Sequence, residues 1–178
     1  MILLRHGQST FNLHYGATGL DPGIPDAPLT PLGHEQAEAA AAALAGEDIR
    51  RILCSPYTRA LQTAAPVAAR LGLPVLVTPA VRERFAASCD IGTCRTDLAQ
   101  AWPHLDLGAV TEMWWAKEAE PHDLFHARTV AFRDEVAARP DWDHTLVICH
   151  WHVILALTGQ SLGNGQWVRL PHPGTAAR

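Results

Sequence analysis

Four short apolar runs recur along the chain, and none of them alternates with polar positions. They occupy residues 2–4, 51–54, 75–77 and 145–149. Uninterrupted apolar runs of this length are typical of parallel strands that are buried on both faces of a sheet. A further run at residues 166–170 predicts an additional strand at an edge of the sheet.

Helical patterns separate the apolar runs. One helix is predicted from Thr30 to Leu44, because Thr30 can cap it and the proline that follows suits a first turn. A second helix is predicted to begin after Pro56 and to run toward Leu71, with Pro66 expected to kink or split it. Two more helices are predicted at about residues 124–138 and 152–157.

The alternation of strands and helices predicts an α/β fold, a single-domain three-layer sandwich with a mostly parallel central sheet. The length suits one domain, which we predict over residues 1–178. Two segments interrupt the alternation. Residues 13–28 are rich in glycine and proline and predict a loop, whereas residues 85–123 predict a lid or insertion over a functional site.

Composition and charge argue against several classes of partner. The net charge of -4 and the pI near 6.2 provide no basic field, so neither nucleic acid nor a membrane is predicted as a partner. No stretch approaches the roughly 20 apolar residues of a membrane span, and no signal peptide is recognisable before Arg5. A cytoplasmic location is therefore predicted, and the sequence makes no prediction of oligomeric state.

The cysteines and most of the histidines show no sign of a metal site. The four cysteines form no Cys-x-x-Cys pair. Cys89 and Cys94 are expected to be reduced thiols, although their loop-like segment also allows a disulfide. The histidines outside the strand ends lack the spacing of metal ligands. No metal and no cofactor is therefore predicted.

Side chains suited to phosphate chemistry follow the predicted strands. Arg5, His6 and Gly7 end the first strand. Arginine can bind phosphate through two hydrogen bonds, histidine can act as a nucleophile, and glycine lets its N–H approach an anion. Because the carboxyl ends of parallel strands meet at one edge of a sheet, residues that follow the other strands are expected to join them. These residues are Arg59, Glu83 and His150.

Four spaced motifs resemble one known family. Residues 5–12 read Arg-His-Gly-Gln-Ser-Thr-Phe-Asn, which is similar to the opening Arg-His-Gly-Glu-Ser-x-Trp-Asn of the histidine phosphatase superfamily. Residues 29–37 and 55–64 match its Leu-Thr-x-x-Gly-x-x-Gln-Ala and Ser-x-x-x-Arg-Ala-x-Gln-Thr-Ala helix starts, and residues 146–150 match the strand that ends in its second histidine. The resemblance implies a phosphoglycerate mutase-like fold and the small phosphatase branch of the family.

The resemblance also implies an activity, that of a histidine acid phosphatase-like phosphomonoesterase. Such a hydrolase acts on a small phosphorylated substrate without metal or cofactor, through a phosphohistidine on His6. Glu83 corresponds to the general acid, with Asp90 as either a rival or a helper. Arginines beside His6 are expected to lower its pKa and keep it neutral. The residues that would bind the phosphate are Arg5, Gly7, Asn12, Arg59 and His150, and of these Arg5, Arg59 and His150 would also take part in catalysis.

Some features depart from the family pattern. Trp151 and His152 replace the small pair that usually follows the second histidine, and their bulk is expected to narrow the pocket or to pack outward. His152 is expected to face away from His150, so His150 alone is assigned to the site. In residues 85–123, Trp114 and Trp115 are expected to anchor the lid in the core rather than to contact substrate.

Two alternatives to a phosphatase follow from the same residues. A phosphoglycerate mutase-type transferase is less favoured, because residues 85–123 contain only Arg95 and Lys117 as basic residues to hold a bisphosphate. A non-catalytic module that binds a phosphorylated ligand would retain the pocket without turnover. The complete set of candidate catalytic residues argues against such a module.

Overall fold

One sheet forms the centre of the molecule. Within residues 1–175, which the computed structural model describes, its strands are β1 (Ile2–Arg5), β2 (Arg51–Cys54), β3 (Val75–Val77), β4 (Thr145–Cys149) and β5 (Trp167–Arg169). Their order across the sheet is β3-β2-β4-β1-β5. Strands β1 to β4 run parallel to one another and β5 runs antiparallel at the edge, so the predicted mostly parallel sheet and its edge strand are confirmed.

Helices cover both faces of this sheet. In the same residues they are α1 (Thr10–Thr18), α2 (Pro31–Leu44), α3 (Thr58–Leu71), α4 (Arg95–Ala101), α5 (His122–Ala137) and α6 (Trp151–Thr158). Helices α2 and α3 pack on one face, and α5 and α6 pack on the other, which gives the three predicted layers. None of the helices in this part of the chain has the length and apolar character needed to cross a membrane.

The strands divide the core into two apolar clusters, because successive side chains of a strand point to opposite faces. Ile2 and Leu4 of β1 belong to the cluster under α2 and α3, together with Leu61. Leu3 belongs to the other cluster, together with Val136 of α5. Burial of each such side chain contributes about 1.5–3 kcal/mol, so both faces hold the sheet in place.

The segment predicted as a loop at residues 13–28 begins inside a helix, α1, and this prediction was wrong in part. The Ser9 hydroxyl accepts a hydrogen bond from the Asn12 N–H at 3.2 Å, and Asn12 Oδ1 accepts one from the Ser9 N–H at 3.1 Å. This reciprocal capping box fixes the start of the helix. Gly19, at a φ of 69°, ends the helix in the left-handed region, and the loop follows it.

Helix α3 continues through Pro66, so the predicted split was wrong. Proline removes one backbone donor from a helix interior. The loss is offset by the packing of the helix face that carries Leu61, Ala64 and Val67, all of them buried in the core.

Residues 85–123 contain a 3-10 turn at Ser88–Asp90, the short helix α4 and the first two residues of α5, and are otherwise irregular. All of them are described by the structure. A single backbone bridge joins Asp106 to Leu76 of β3. Trp114 is buried and packs edge-on against Tyr57, with ring centroids 4.6 Å apart. Trp114 thus anchors this segment in the core, as expected, while a lid function for the segment stays a prediction.

The cysteines are free thiols throughout the described residues, which confirms that Cys89 and Cys94 are not joined. Cys89 is buried beside the candidate site, and burial raises the pKa of its thiol to about 12. A thiol with such a raised pKa stays protonated near neutral pH and is a poor nucleophile.

Candidate active site

Strand register brings two histidines together. Arg5 of β1 lies opposite Cys149 of β4, so the residues that follow them, His6 and His150, emerge side by side at the carboxyl edge of the sheet. The His6 N–H donates to the Cys149 carbonyl at 3.1 Å, which continues the strand pairing by one bond. The two imidazole centroids are 5.1 Å apart.

A cleft of about 590 Å³ opens at this edge of the sheet. We call its buried end the floor and its exposed end the mouth. The exposed fraction is 4% for His6 and 2% for Arg59 at the floor, against 51% for Tyr15 at the mouth. The floor is lined by Arg5, His6, Arg59 and Glu83, and the mouth by Tyr15, Asp21 and Trp151. Phe11, which is 8% exposed, also lines the cleft.

His6 is held in one tautomer. Its Nδ1 lies 2.7 Å from the Gly7 carbonyl, and since a carbonyl only accepts, Nδ1 carries the proton. Nε2 then holds the lone pair that a nucleophile needs. Burial lowers the pKa of His6 well below its ordinary value, and the positive charges of Arg59 and Arg5 lower it further. The predicted direction is confirmed, but burial is the larger cause.

His150 is wholly buried beside His6. Its Nε2 lies 2.8 Å from the Ser55 hydroxyl, and its Nδ1 has no hydrogen-bond partner among residues 1–175. Burial lowers the pKa of His150 well below its ordinary value, with a further contribution from the charge of Arg59. The structure therefore places a second neutral imidazole next to the first, and direct contact of His150 with a phosphate stays a prediction.

Arg59 lies buried beneath the segment that carries Asp90. Its guanidinium donates to the Cys89 carbonyl at 2.7 Å and to Asp90 Oδ1 at 3.1 Å, and it lies 4.2 Å from the centre of the Tyr57 ring. The other Asp90 oxygen accepts from two backbone N–H groups, those of residues 86 and 87. Burial raises the pKa of Asp90, while Arg59 opposes the shift. Because Asp90 is occupied in these contacts, its geometry favours the helper role.

Arg5 reaches the floor from the end of β1. Its Nη1 donates to the Leu162 carbonyl at 2.6 Å, and its buried Nε has no hydrogen-bond partner within the described chain. A buried donor without a partner costs about 1–3 kcal/mol. Arg5 also lines the cleft, as its predicted phosphate role requires.

Glu83 lines the floor without an arginine partner among the described residues. Its carboxylate accepts from the Arg84 N–H at 2.9 Å and from the His152 N–H at 3.2 Å. The His152 Nδ1 lies 3.4 Å from Glu83 Oε1, and contact with Glu83 raises the pKa of His152. The prediction that His152 faces away from His150 was wrong, since positions two apart in a strand share a face. In the structure α6 begins at Trp151, and its first turn directs His152 onto Glu83 at the cleft.

Gly7 does not face the cleft, which corrects its predicted phosphate role. The Gly7 N–H donates to Thr63 Oγ1 at 3.1 Å. A Cβ at this position would clash with the Gly33 carbonyl oxygen at the start of α2. Glycine is needed here because two backbone segments touch, so the residue packs the loop after β1 against α2.

Asn12 presents an oriented amide to the cleft. Its Oδ1 accepts from the Ser9 N–H and from Asn164 Nδ2, both at 3.1 Å. Asn164 Nδ2 also donates to the His6 carbonyl, which identifies it as the amide nitrogen. The Asn12 Nδ2 is left as a donor in a residue that lines the cleft, as a phosphate ligand would require.

Several residues that support the site were not predicted. Ser55, Tyr57 and Thr63 lie inside the motif at residues 55–64, from which only the arginine was taken. The motif itself was therefore the signal for these three. Leu162 contributes only a backbone carbonyl, and Asn164 lies in a loop without a motif, so neither gave a signal in the sequence.

Comparison with known proteins identifies the family. The family model for the histidine phosphatase superfamily (branch 1) matches residues 1–177. The chain belongs to the histidine phosphatase superfamily. Through this membership, the predicted class of enzyme, a phosphomonoesterase and hence a hydrolase, is confirmed.

Named relatives and a solved structure extend over most of the chain. The glucosyl-3-phosphoglycerate phosphatase of Mycolicibacterium vanbaalenii is 30% identical over an alignment of 195 residues including gaps. The alignment covers 96% of this chain and 83% of the relative. The adenosylcobalamin/alpha-ribazole phosphatase of Escherichia coli is 29% identical over 168 residues, covering 90% and 78%. The native structure of a mycobacterial glucosyl-3-phosphoglycerate phosphatase matches with a TM-score of 0.64 and 25% identity, covering 94% of this chain and 87% of its own. The predicted fold is thereby confirmed.

Proposed function

We propose that this chain hydrolyses a small phosphomonoester, without metal or cofactor, through a phosphohistidine on His6. The observation that carries the proposal is the 2.7 Å contact between His6 Nδ1 and the Gly7 carbonyl, which leaves the Nε2 lone pair available. The lowered pKa of His6 keeps that lone pair free of a proton. Relatives named as phosphatases support the class of reaction.

Substrate binding uses the cations of the floor. The guanidinium groups of Arg5 and Arg59 neutralise the phosphate dianion, and Asn12 Nδ2 donates a further hydrogen bond. These charges also stabilise the equatorial oxygens as they gain negative charge in the transition state. Arginines then supply the charge that Mg²⁺ supplies in many other phosphoryl-transfer sites.

In the first chemical step, the His6 Nε2 lone pair attacks phosphorus while the ester P–O bond breaks. Both electrons of that bond go to the leaving oxygen, which takes a proton from Glu83. Positive charge develops on the imidazole, and the Gly7 carbonyl stabilises it through the Nδ1 proton. The products of this step are the alcohol, a phosphohistidine and an ionised Glu83.

In the second step, ionised Glu83 takes a proton from water as the water oxygen attacks phosphorus. The P–N bond breaks, its electrons return to Nε2, and inorganic phosphate leaves. Glu83 and neutral His6 are restored, so protons and charge balance over the cycle. His152 can exchange a proton with Glu83 between steps, because its Nδ1 lies 3.4 Å from Oε1.

Hydrolysis of p-nitrophenyl phosphate tests the proposal. Activity should survive EDTA, and His6→Ala should lower kcat by about 10⁴-fold while the variant still binds inorganic phosphate. His34→Ala, at an exposed histidine of α2, serves as the matched control and should retain wild-type activity. Loss of activity in EDTA would refute the metal-free mechanism, and wild-type activity in His6→Ala would refute the nucleophile.

The same enzyme preparation separates the two alternatives. Among the described residues that line the cleft, Arg5 and Arg59 are the arginines and there is no lysine, which disfavours a bisphosphate. Phosphoglycerate supplied after priming with a bisphosphate should therefore release phosphate without forming its isomer. Isomer formation would indicate a mutase, and phosphate binding without any turnover would indicate a non-catalytic module.

A further inference from the structure

The mouth of the cleft presents aromatic rings beside the phosphate-binding floor. Phe11 and Tyr15 of α1 stack with ring centroids 5.5 Å apart and 11° between their planes. Trp151 lines the same cleft from the first turn of α6, and its Nε1 donates to the Ser161 hydroxyl at 2.9 Å, which fixes the orientation of the indole. Planar apolar faces of this kind pack favourably against another ring.

Beyond the two arginines of the floor, the fixed charge that lines the cleft is negative. Asp21 stands at the mouth, where its carboxylate accepts from the N–H groups of Ser88 and Gly23, both at 2.8 Å. Hydrogen bonds from Ser88, chiefly from its hydroxyl, hold the pKa of Asp21 below its ordinary value. Glu83 and Asp90 add two more carboxyl groups to the lining, where Glu83 contacts His152 and Asp90 pairs with Arg59.

Three arginines near Glu83 are directed away from the cleft: Arg82 and Arg84, its neighbours in the chain, and Arg128 of α5. Arg82 and Arg128 pair with the Glu120 carboxylate at 3.0 Å and 2.6 Å. Arg84 donates to the Glu120 carbonyl at 3.0 Å. None of the three is among the described residues that line the cleft. A second anionic group on a substrate would meet Asp21 at the mouth, and no further arginine and no lysine lines the described cleft; His152, whose pKa is raised, is held against Glu83.

From these contacts we infer that the cleft selects phosphomonoesters whose leaving group carries a planar aromatic ring and no negative charge. The inference rests on the proposed phosphatase activity and adds the class of substrate. The phosphate occupies the floor, and the ring packs on Trp151 or on the Phe11–Tyr15 pair. A carboxylate or a second phosphate on the leaving group is repelled by Asp21.

Three phosphate esters, used as substrates, test the effects of ring packing and of charge separately. Benzyl phosphate and cyclohexylmethyl phosphate are similar in size and in alcohol leaving group, and they differ in planarity. Benzyl phosphate and para-carboxybenzyl phosphate differ in charge. We expect kcat/KM for benzyl phosphate to exceed that for the cyclohexylmethyl ester by about fivefold, and to exceed that for the carboxybenzyl ester by about tenfold.

Variants at the mouth assign each preference to a side chain. Trp151→Leu should bring the benzyl-to-cyclohexylmethyl ratio close to one, because a flat ring loses its partner. Asp21→Asn should lower the benzyl-to-carboxybenzyl ratio by at least about threefold, because it removes a like charge. Asp48→Asn, at an exposed acid just before β2, is the matched control and should change neither ratio.

The outcomes distinguish the inference from the proposed function. Equal kcat/KM on all three esters would overturn the substrate class and leave the phosphatase assignment intact. Ratios that persist unchanged in both Trp151→Leu and Asp21→Asn would also overturn it, because the preference would then arise elsewhere. Absence of hydrolysis on every ester and on p-nitrophenyl phosphate would overturn the proposed function itself, and the inference with it.

Discussion

The floor and the mouth of the cleft are built by different parts of the molecule. At the floor, Arg5 ends β1, His6 follows it, and Arg59 lies in the first turn of α3 after β2, so the register of the parallel strands positions them relative to one another. At the mouth, Tyr15 lies in α1 and Asp21 in the loop that follows it, away from any strand end, while Trp151 is the first residue of α6. The comparison indicates that the sheet edge determines the chemistry, while the surrounding helices and loops determine which ester enters. Substitutions at the floor should therefore slow every substrate, and those at the mouth should change ratios between substrates.

Apart from loss of the nucleophile, Arg59→Ala should have the largest effect, because it damages chemistry and folding together. We expect kcat/KM to fall by about 10³-fold on every ester, since one of two phosphate-binding cations is lost. The free energy of unfolding should fall by about 3–5 kcal/mol, because Asp90 remains buried without its partner. Steady-state kinetics and denaturant unfolding measure the two effects.

A control variant and a double variant sharpen this prediction. Arg70→Ala, at an exposed arginine of the same helix, should change neither quantity. Adding Asp90→Ala to Arg59→Ala should restore part of the stability and none of the activity. If Arg59→Ala lowered kcat/KM on one ester only, the result would contradict the separate roles of floor and mouth.

Glu83→Gln should show how the general acid works. Turnover of benzyl phosphate should fall by about 10²-fold or more, because its alkoxide leaves poorly without a proton. With p-nitrophenyl phosphate, whose phenolate leaves without protonation, we expect a rapid burst of p-nitrophenolate followed by slow turnover, since the amide of the variant cannot activate water. Glu38→Gln in α2 is the exposed control. Equal slowing of both esters with no burst would argue against Glu83.

His152→Asn should have a smaller effect, about tenfold on kcat, together with a changed pH profile. In the wild type, contact with Glu83 raises the pKa of His152, so His152 keeps a proton beside Glu83 to a higher pH than a free imidazole would. Without His152, the alkaline fall in activity should begin at a lower pH. His126→Asn, exposed on α5, is the control, and an unchanged alkaline limb would show that His152 does not supply the proton.

The pH dependence of the unfolding free energy below neutral pH should show a smaller, gradual effect of His6. His6 is neutral in the folded protein because its pKa is lowered, whereas in the unfolded chain it binds a proton below about pH 6.5. Folding is therefore destabilised as pH falls below that value, by up to about 1.4 kcal/mol per pH unit. His6→Asn should make the unfolding free energy less sensitive to pH below about 6.5. For the exposed control His14→Asn, the plot of unfolding free energy against pH should run parallel to that of the wild type. A parallel plot for His6→Asn would contradict a neutral, buried His6.

Arg5, His6 and Arg59 could be predicted for the floor because each lies in a motif at or after a strand end, whereas Glu83 lies outside the four motifs. Arg5 and Arg59 could be placed from parallel-strand geometry before any contact was known. Gly7 was misassigned because its glycine requirement comes from the approach of Gly33, a contact between distant segments. A turn that approaches an anion and a turn that approaches a backbone look the same in a sequence.

The mouth was predicted poorly for a related reason. Helix α1 depends on the reciprocal bond between Ser9 and Asn12, which composition does not reveal. The orientation of His152 was misjudged because positions two apart in a strand share a face, and in α6 the residue meets Glu83. The departure from the small pair usual in the family marked this position as unusual, although its consequence required the structure.

Trapping the covalent intermediate tests the central claim most directly. Glu83→Gln mixed with p-nitrophenyl phosphate should accumulate the phosphoenzyme, which can be quenched in alkali and digested. Phosphorus NMR and peptide mass spectrometry should then find an acid-labile phosphate on Nε2 of His6, in an amount equal to the burst of p-nitrophenolate. Phosphate on another side chain, or a burst with unmodified His6, would contradict the account.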